Sequence, residues 1–309
     1  VAPFIHKSVL EDAVLNGLQP KDGGRYADGT LGGAGHAAAI LKASAPTGWL
    51  FGCDRDGAAV EASSKRLEEF AGRFKLRQGN YADLAQWIEP GSLDGVLLDL
   101  GVSGPQLDWP ERGFSFLRDG PLDMRMDPRQ ELTASVLVNH AAPEELANIF
   151  FEFGGETDSR RIARAIERDR KERPFTRTRQ LAELIERISP RGGKKAHPAT
   201  KVFQALRMAV NDEMGGLRRG LEGAVKVLKP GGRLAVITFH SVEDRMVKEF
   251  GRRLSRDYAA AGEVDVPELR RPQEPVLKWV VRKAILPGEA EVEENPRSRS
   301  AQLRLLEKL

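Results

Sequence analysis

The amino-acid sequence predicts an α/β protein built on a mostly parallel sheet and interrupted by an all-helical insert. Three observations carry that prediction. Short apolar runs alternate with helical stretches as far as Leu100, no comparable strand follows for about a hundred residues, and a long apolar strand then resumes at Arg233. At 309 residues the chain exceeds what one hydrophobic core usually spans, so a large domain and a smaller one are expected.

Ser8-Val9-Leu10-Glu11 reads as a capping box ahead of a helix with Leu10, Val14, Leu15 and Leu18 on one face. The strand and helix signals then alternate. Arg25-Tyr26-Ala27 leads into a glycine-rich turn and a helix through Ile40-Leu41, and Trp49 to Cys53 leads into a helix with Val60, Leu67 and Phe70. Phe74-Lys75-Leu76 is a third strand. Gly95 to Leu100 is a fourth, apolar enough to be covered on both faces as a central parallel strand must be.

The stretch from Gly101 to Pro128, rich in glycine and proline, reads as loop. Pro143 then opens a helix with Glu144 and Glu145 in its first turn, an apolar face of Leu146, Ile149, Phe150 and Phe153, and Gly154-Gly155 as its stop. Leu181, Leu184, Ile185 and Ile188 mark another, and Pro198 starts a third. Leu217, Leu221, Ala224, Val225 and Leu228 mark the crossover helix back to the sheet, whose fifth strand is Arg233 to Phe239. These signals put the larger domain at 1–108 and 203–309 and the helical insert at 109–202. Two tail segments, Val276 to Val281 and Gln302 to Leu306, are joined by a loop too poor in helix pattern for a parallel crossover, so an antiparallel final pair is expected. A Rossmann-like, mostly parallel seven-stranded sheet with an antiparallel end is the class I methyltransferase architecture rather than that of dehydrogenases.

Composition narrows the setting. Cys53 is the single cysteine, so neither a disulfide framework nor a Cys/His zinc site is expected, and no metal is assigned. No apolar run approaches a membrane span, and His6, Lys7, Glu11 and Asp12 near the start do not suit a signal peptide. A reducing cytoplasm is the expected location, with no membrane partner. Net charge is +3, but Thr157 to Lys201 holds 14 Lys and Arg against 6 Asp and Glu, leaving the rest at 34 against 39. That asymmetry suits a polyanionic partner, although an arginine-rich helix face can also be merely solvated.

Asp28-Gly29-Thr30-Leu31-Gly32-Gly33-Ala34-Gly35-His36 follows the first strand and opens a helix, the place where backbone N–H groups meet a ligand in this architecture. Asp54 ends the second strand, placed for ribose hydroxyls. The geometry admits NAD or S-adenosylmethionine. Asp28 favours the second, because a carboxylate there repels a pyrophosphate and attracts an ammonium and a sulfonium. Asp99, ending the fourth strand, is either a strand-end cap or the carboxylate that offsets charge developing on an acceptor nitrogen.

More specific runs follow. Gly101-Val102-Ser103-Gly104-Pro105-Gln106-Leu107-Asp108, Arg112-Gly113-Phe114-Ser115-Phe116 through Asp127, His197-Pro198-Ala199-Thr200 through Arg207, and Phe239-His240-Ser241-Val242-Glu243-Asp244-Arg245 together resemble the MraW family of methyltransferases, over nearly the whole chain. The resemblance implies N4-methylation of a cytidine in the decoding region of 16S ribosomal RNA, with the small subunit as partner. Carried over by position, the family's cofactor residues fall on Ala34, Gly35, His36, Asp54, Tyr81, Asp99 and Gln106. Ala34, Tyr81 and Gly104 stand where glycine, phenylalanine and serine are usual. The Asp/Asn-Pro-Pro-aromatic motif of many amino methyltransferases is replaced by Asp99-Leu100-Gly101-Val102.

Cytosine's exocyclic amine is delocalised into its ring and hidden by pairing, so an unstacked base is required. Expected substrate contacts are Arg191, Lys194 and Lys195 in a basic loop, with His197 and Ser241. Trp109, Phe114 and Phe116 are either stacking surfaces or core. His240 after the fifth strand either satisfies a structural hydrogen bond or orients the cytosine and relays its proton. His36 also reads as a helix cap, and Asp123, Arg125 and Asp127 either tie the long loop to the catalytic domain by ion pairs or reach the base. An NAD-dependent oxidoreductase and a noncatalytic RNA-binding assembly protein stand as rival readings, and a homodimer is among the assemblies left open.

Overall fold

Strands that must be covered on both faces need helices on both sides, and the computed structural model, which describes residues 8–190, 197–260 and 265–309, supplies them. The chain divides into two compact units, Val1–Gly101 with Gly215–Leu309, and Val102–Met214. The first holds β1 (Arg25–Asp28), β2 (Trp49–Asp54), β3 (Phe74–Gln78), β4 (Leu93–Asp99), β5 (Leu228–Thr238), β8 (Leu277–Trp279) and β9 (Gln302–Lys308) in one seven-stranded sheet. Its order is β3-β2-β1-β4-β5-β9-β8, parallel from β3 to β5, with β9 antiparallel to both its neighbours. The strand order reverses between β1 and β4, the switch point beyond which ligands bind in open α/β sheets. A separate two-stranded ribbon pairs β6 (Tyr258–Ala260) with β7 (Arg270–Pro272).

One face of the sheet buries Tyr26, Leu50, Leu97, Ala235 and Leu305 together with residues of α1 (Glu11–Leu18), α2 (Gly35–Ala43) and the segment after α3 (Gly57–Arg66). Neighbours of opposite parity, such as Val96 and Leu98, turn to the other face. There the chain places α4 (Leu84–Trp87) and, as it returns to the sheet, α11 (Glu213–Val227) and α12 (Ser241–Leu254). Close approach explains two glycines. A Cβ on Gly17 of α1 would lie 2.6 Å from the Leu305 side chain, and one on Gly251 of α12 would lie 2.4 Å from the Trp279 ring. A short α13 (Glu289–Glu294) occupies the tail connection.

The second unit is helical, with α5 (Gly104–Asp108), α6 (Ala134–His140), α7 (Pro143–Glu152), α8 (Ser159–Arg170), α9 (Thr178–Ile188) and α10 (Ala199–Val210). Phe150, Ile162, Ile166, Leu181, Ile185, Val202 and Leu206 form its own core. It extends beyond the expected 109–202 at both ends, because Val102 and Leu107 pack on that core and α10 contributes Phe203 and Val210 to it. The basic stretch is mostly helix. Arg161, Arg168, Arg177 and Arg187 meet Asp158, Asp169, Asp119 and Asp169, whereas Arg160 and Arg164, one turn apart, are exposed.

One expectation is overturned. Leu10, not Ser8, precedes α1, in a left-handed conformation, and its N–H donates to Glu291 Oε1 at 2.6 Å, so no capping box forms. Asp123, Arg125 and Asp127 staple their loop to itself. Arg125 binds Asp123 in a two-point pair and donates to the Pro128 and Gln130 carbonyls, and Asp127 pairs with Arg129.

Asn211 holds that loop from the end of α10. Its Oδ1 accepts from Met126 N–H at 2.8 Å and its Nδ2 donates to the Met124 carbonyl at 2.8 Å, all in buried surroundings. Asn211→Ala leaves a buried N–H and a buried carbonyl unpaired, each costing about 1–3 kcal/mol. A drop in thermal midpoint of several degrees is expected, and an unchanged melt would show that the loop holds itself.

Candidate active site at the strand ends

Three acids close the carboxyl ends of the central strands: Asp28 on β1, Asp54 on β2 and Asp99 on β4. Thr30 ties Asp28 and Asp99, on adjacent strands, together. Its N–H donates to Asp28 Oδ1 at 3.0 Å, and its hydroxyl accepts from Asp99 N–H at 2.7 Å. Asp54 faces the turn itself, accepting from Gly32 N–H at 2.8 Å and from Asp56 N–H at 2.9 Å. The turn's carbonyls are drawn outward instead, Gly33 to Arg66 Nη1 at 2.7 Å and Gly32 to Ser63 Oγ at 3.3 Å. Gly32 and Ala34 both have positive φ, at 49° and 57°. The left-handed conformation costs alanine roughly 1–2 kcal/mol, offset by about 0.8 kcal/mol for burying its methyl group.

Glycine lets the chain thread this crowded place. A Cβ on Gly29 would lie 2.6 Å from Leu98 Cδ2 and 2.7 Å from Tyr81 Cβ, and one on Gly35 would lie 2.0 Å from Ser8 Oγ. Tyr81 follows β3, and its ring rests on Gly220 of α11, where a Cβ would sit 2.4 Å from ring carbon Cδ2.

Among the described residues none of the three acids meets a lysine or arginine at ion-pair distance. Their charge is confined without a counterion. Burial pushes the Asp28 carboxyl, 1% exposed, up to about 7, and the charge of Asp54 adds to that while Thr30 N–H opposes it. Asp99 rises well above the usual carboxylate range, first through burial and then through Asp28 and Glu243. Asp54 is also raised by burial, against its two N–H donors. His36 lies beside them, Nε2 3.7 Å from Asp99 Oδ2, yet burial drives its pKa down to about 4, so it is neutral at pH 7 and neutralises nothing. Among the described residues neither His36 ring nitrogen makes a well-formed hydrogen bond, although the Val9 backbone lies close enough to oppose the lowering, and Asp99 Oδ1 has no partner either. His36 is therefore no cap: α2 starts from Ala34 without a side-chain cap.

His240 begins α12. Its Nδ1 accepts from Glu243 N–H at 3.4 Å, the capping reading, while Nε2 sits 3.0 Å from Glu243 Oε1, off the line of a hydrogen bond. Glu243 is buried and accepts from Phe239 N–H at 2.9 Å. Ser241 is exposed at the first position of the helix.

The expected residues therefore divide. Asp28, Ala34, Gly35, His36, Asp54, Tyr81, Asp99, His240 and Ser241 belong to the first unit, at strand ends or in the segments that follow them. Gln106 and His197 belong to the second unit. Gln106 is buried with Oε1 accepting from Ser103 N–H at 3.0 Å, and His197 accepts from Ala199 N–H at 3.1 Å with its ring 4.7 Å from that of Phe116. Phe114 is core there and Trp109 is exposed. Arg191, Lys194 and Lys195 lie outside the described residues. Sequence reasoning missed Thr30 and Glu243. The signal for Glu243 was its place three residues after His240 at a helix start, the spacing of a capping box.

The buried acids make a stability prediction. Asp28 holds its proton to about 7 in the folded chain but only to 3.8 when unfolded, so folding takes up a proton between those values and stability falls as pH rises through them. Three units correspond to about 4 kcal/mol. Asp28→Asn should raise the thermal midpoint at pH 8 by several degrees and match the parent near pH 4. Parallel midpoint-against-pH curves for the two chains would refute this.

Comparison with known proteins places the chain. Residues 3–309 match the family model for the MraW methylase family. Proteins from Syntrophotalea carbinolica and Citrifermentans bemidjiense, each named ribosomal RNA small subunit methyltransferase H, are 48% and 49% identical. The alignments cover 99% of this chain and 98% and 99% of those proteins. A protein of the same name from Shewanella denitrificans is 46% identical, across 99% of this chain and 98% of that one. Since the likeness runs from end to end and takes in both the acid-lined turn and the helical unit, the chain belongs to the MraW methylase family.

Proposed function

We propose that this protein transfers the methyl group of S-adenosylmethionine to the N4 amine of a cytidine in the decoding region of 16S ribosomal RNA, with the small ribosomal subunit as partner. The observation that carries this reading is the set of buried carboxylates with no lysine or arginine at ion-pair distance among the described residues. A sulfonium and an ammonium supply the missing charge; a dinucleotide's diphosphate would add to the repulsion, which argues against a nicotinamide cofactor. Asp28, Asp54 and Asp99 would hold the donor, with Ala34, Gly35 and His36 lining the turn, Tyr81 offering its ring to the adenine and Gln106 completing the family set.

Bound there, S-adenosylmethionine supplies an electrophilic methyl carbon. The protein's task is to present the amine in line and to receive the charge that appears on its nitrogen. Asp99 suits that task because Oδ1 is unpartnered among the described residues and because the donor's positive charge, by drawing off the proton that burial favours, leaves the carboxylate ionised to accept one. Asp99 accepts an N4 proton as the nitrogen becomes cationic. His240 is anchored through Nδ1, and its Nε2, beside Glu243 Oε1 but not hydrogen-bonded to it, would orient the pyrimidine or pass the proton on. Ser241 and His197, with the cations Arg191, Lys194 and Lys195, would hold flanking RNA.

The deciding experiment incubates small subunits lacking the modification with labelled donor and identifies the product nucleoside. N4-methylcytidine is expected; donor binding without any product would favour an assembly factor. Asp99→Ala should lower turnover by about 100-fold or more while the protein still folds. Full transfer by that variant would remove the role given to Asp99. Donor affinity should rise with pH up to about 7 and flatten above it, falling roughly tenfold per unit below, because the bound cation requires Asp28 ionised. Asp28→Asn should bind the donor more weakly and lose that step.

A further inference from the structure

A second charged feature lies at the far edge of the sheet. Between α12 and the edge strand β8 runs a cleft of about 610 Å³, lined by Lys248, Arg252, Lys278, Trp279, Arg282 and Arg304. No acid lines it. Two of its five cations are already neutralised: Arg304 binds Asp244 in a two-point pair at 2.6 and 3.0 Å, and Lys278 meets Glu307 at 2.7 Å. Lys248, Arg252 and Arg282 have no such partner among the described residues. The indole of Trp279 is held from behind by Gly251 and sits 6.0 Å from the Arg304 guanidinium.

We propose that this cleft is a second RNA-backbone subsite, in which Lys248, Arg252 and Arg282 hold phosphates and Trp279 offers its face to a base. Uncompensated cations around a fixed aromatic ring are what a single-stranded nucleic acid needs, since the phosphates supply charge and every base supplies a π-face. A simple anion would have no use for the indole. Three strand spacings separate β8 from β4, about 14 Å across the sheet. The cleft therefore serves RNA flanking the reacting cytidine rather than the cytidine itself. It also answers an electrostatic difficulty in the first unit, whose acidic strand ends repel the backbone of the nucleic acid they must receive. The inference rests on the RNA-methyltransferase reading.

The test replaces the three free cations together, Lys248→Glu, Arg252→Glu and Arg282→Glu, in the full chain, and measures binding of a single-stranded RNA oligonucleotide across a salt series. We expect at least tenfold weaker binding at moderate salt and a log–log salt slope shallower by about 2, the share of three phosphate contacts. Donor affinity should be unchanged, since none of the three residues touches the strand-end acids. Unchanged RNA affinity and slope would overturn the proposal. So would weaker binding of inorganic phosphate alone with RNA binding intact, which describes a small-anion site. Lost affinity for the assembled small subunit but not for free RNA would mean a protein contact, and would overturn it equally. If the charge reversals abolish the cooperative melt, the triple glutamine variant decides by the same criteria. Methyl transfer by the parent chain is assayed alongside, so that failure of the enzymatic reading is visible separately from failure of the subsite.

Discussion

The organisation of the first unit depends on one unfavourable arrangement: three carboxylates gathered at the ends of β1, β2 and β4 with, among the described residues, no lysine or arginine at ion-pair distance. Burial first, and then the charge of neighbouring acids, raises the pKa values of these carboxyls, so the free protein holds protons on acids that would be ionised in water. A cation binding there removes the repulsion and draws those protons off. Selectivity for a positively charged methyl carrier is thus built into the folded chain as a cost, and the cost is recovered when the carrier arrives. His36 could have relieved it as an imidazolium, but its burial keeps it neutral.

Such a cluster survives only if the backbone around it is over-determined. Thr30 bridges Asp28 and Asp99, Asp54 is fixed by two backbone N–H groups, and Ser63 and Arg66 of α3 pull the turn's carbonyls the other way. The turn cannot relax to separate the acids. Gly29, Gly35 and Gly220 do the same work by absence, each leaving room that a methyl group would fill. At the next strand end Glu243 anchors Phe239 N–H and stands behind His240, so α12 starts at one defined point.

Much of this was legible in the residues. β1, β2 and β4 announce themselves as apolar runs ended by aspartate, β3, β5 and β9 by their apolar residues alone, and the antiparallel tail follows from a connection without helix pattern. The three acids were readable because each falls where a strand ends. Helices α6, α8 and α12 were not. In α8 the buried face is Ile162, Ala163, Ala165 and Ile166 among five arginines, so the apolar stripe is narrow and half of it is alanine. Thr30 and Glu243 escaped notice because they act through other residues, and the bonds they make link segments far apart in sequence or run to backbone. The Ser8 capping box failed because the pattern ignores tertiary partners: Glu291, some 280 residues away, supplies the acceptor that Leu10 N–H needs.

The charge distribution resolves into two opposed requirements. An acidic cleft is needed to seat a cationic donor, yet a polyanion must be brought to the same place, and a chain of uniform charge cannot do both. Outside the basic segment the sequence carries 34 cations against 39 acids, which left to itself would turn nucleic acid away. Within that segment acids neutralise Arg161, Arg168, Arg177 and Arg187, so the nominal surplus overstates what is free to act. Among the described residues, cations left without acids include Arg160 and Arg164 on α8 and Lys248, Arg252 and Arg282 at the sheet edge. Their attraction falls off within about 8 Å at physiological salt, so they can hold RNA locally without cancelling the field of the acids at the strand ends.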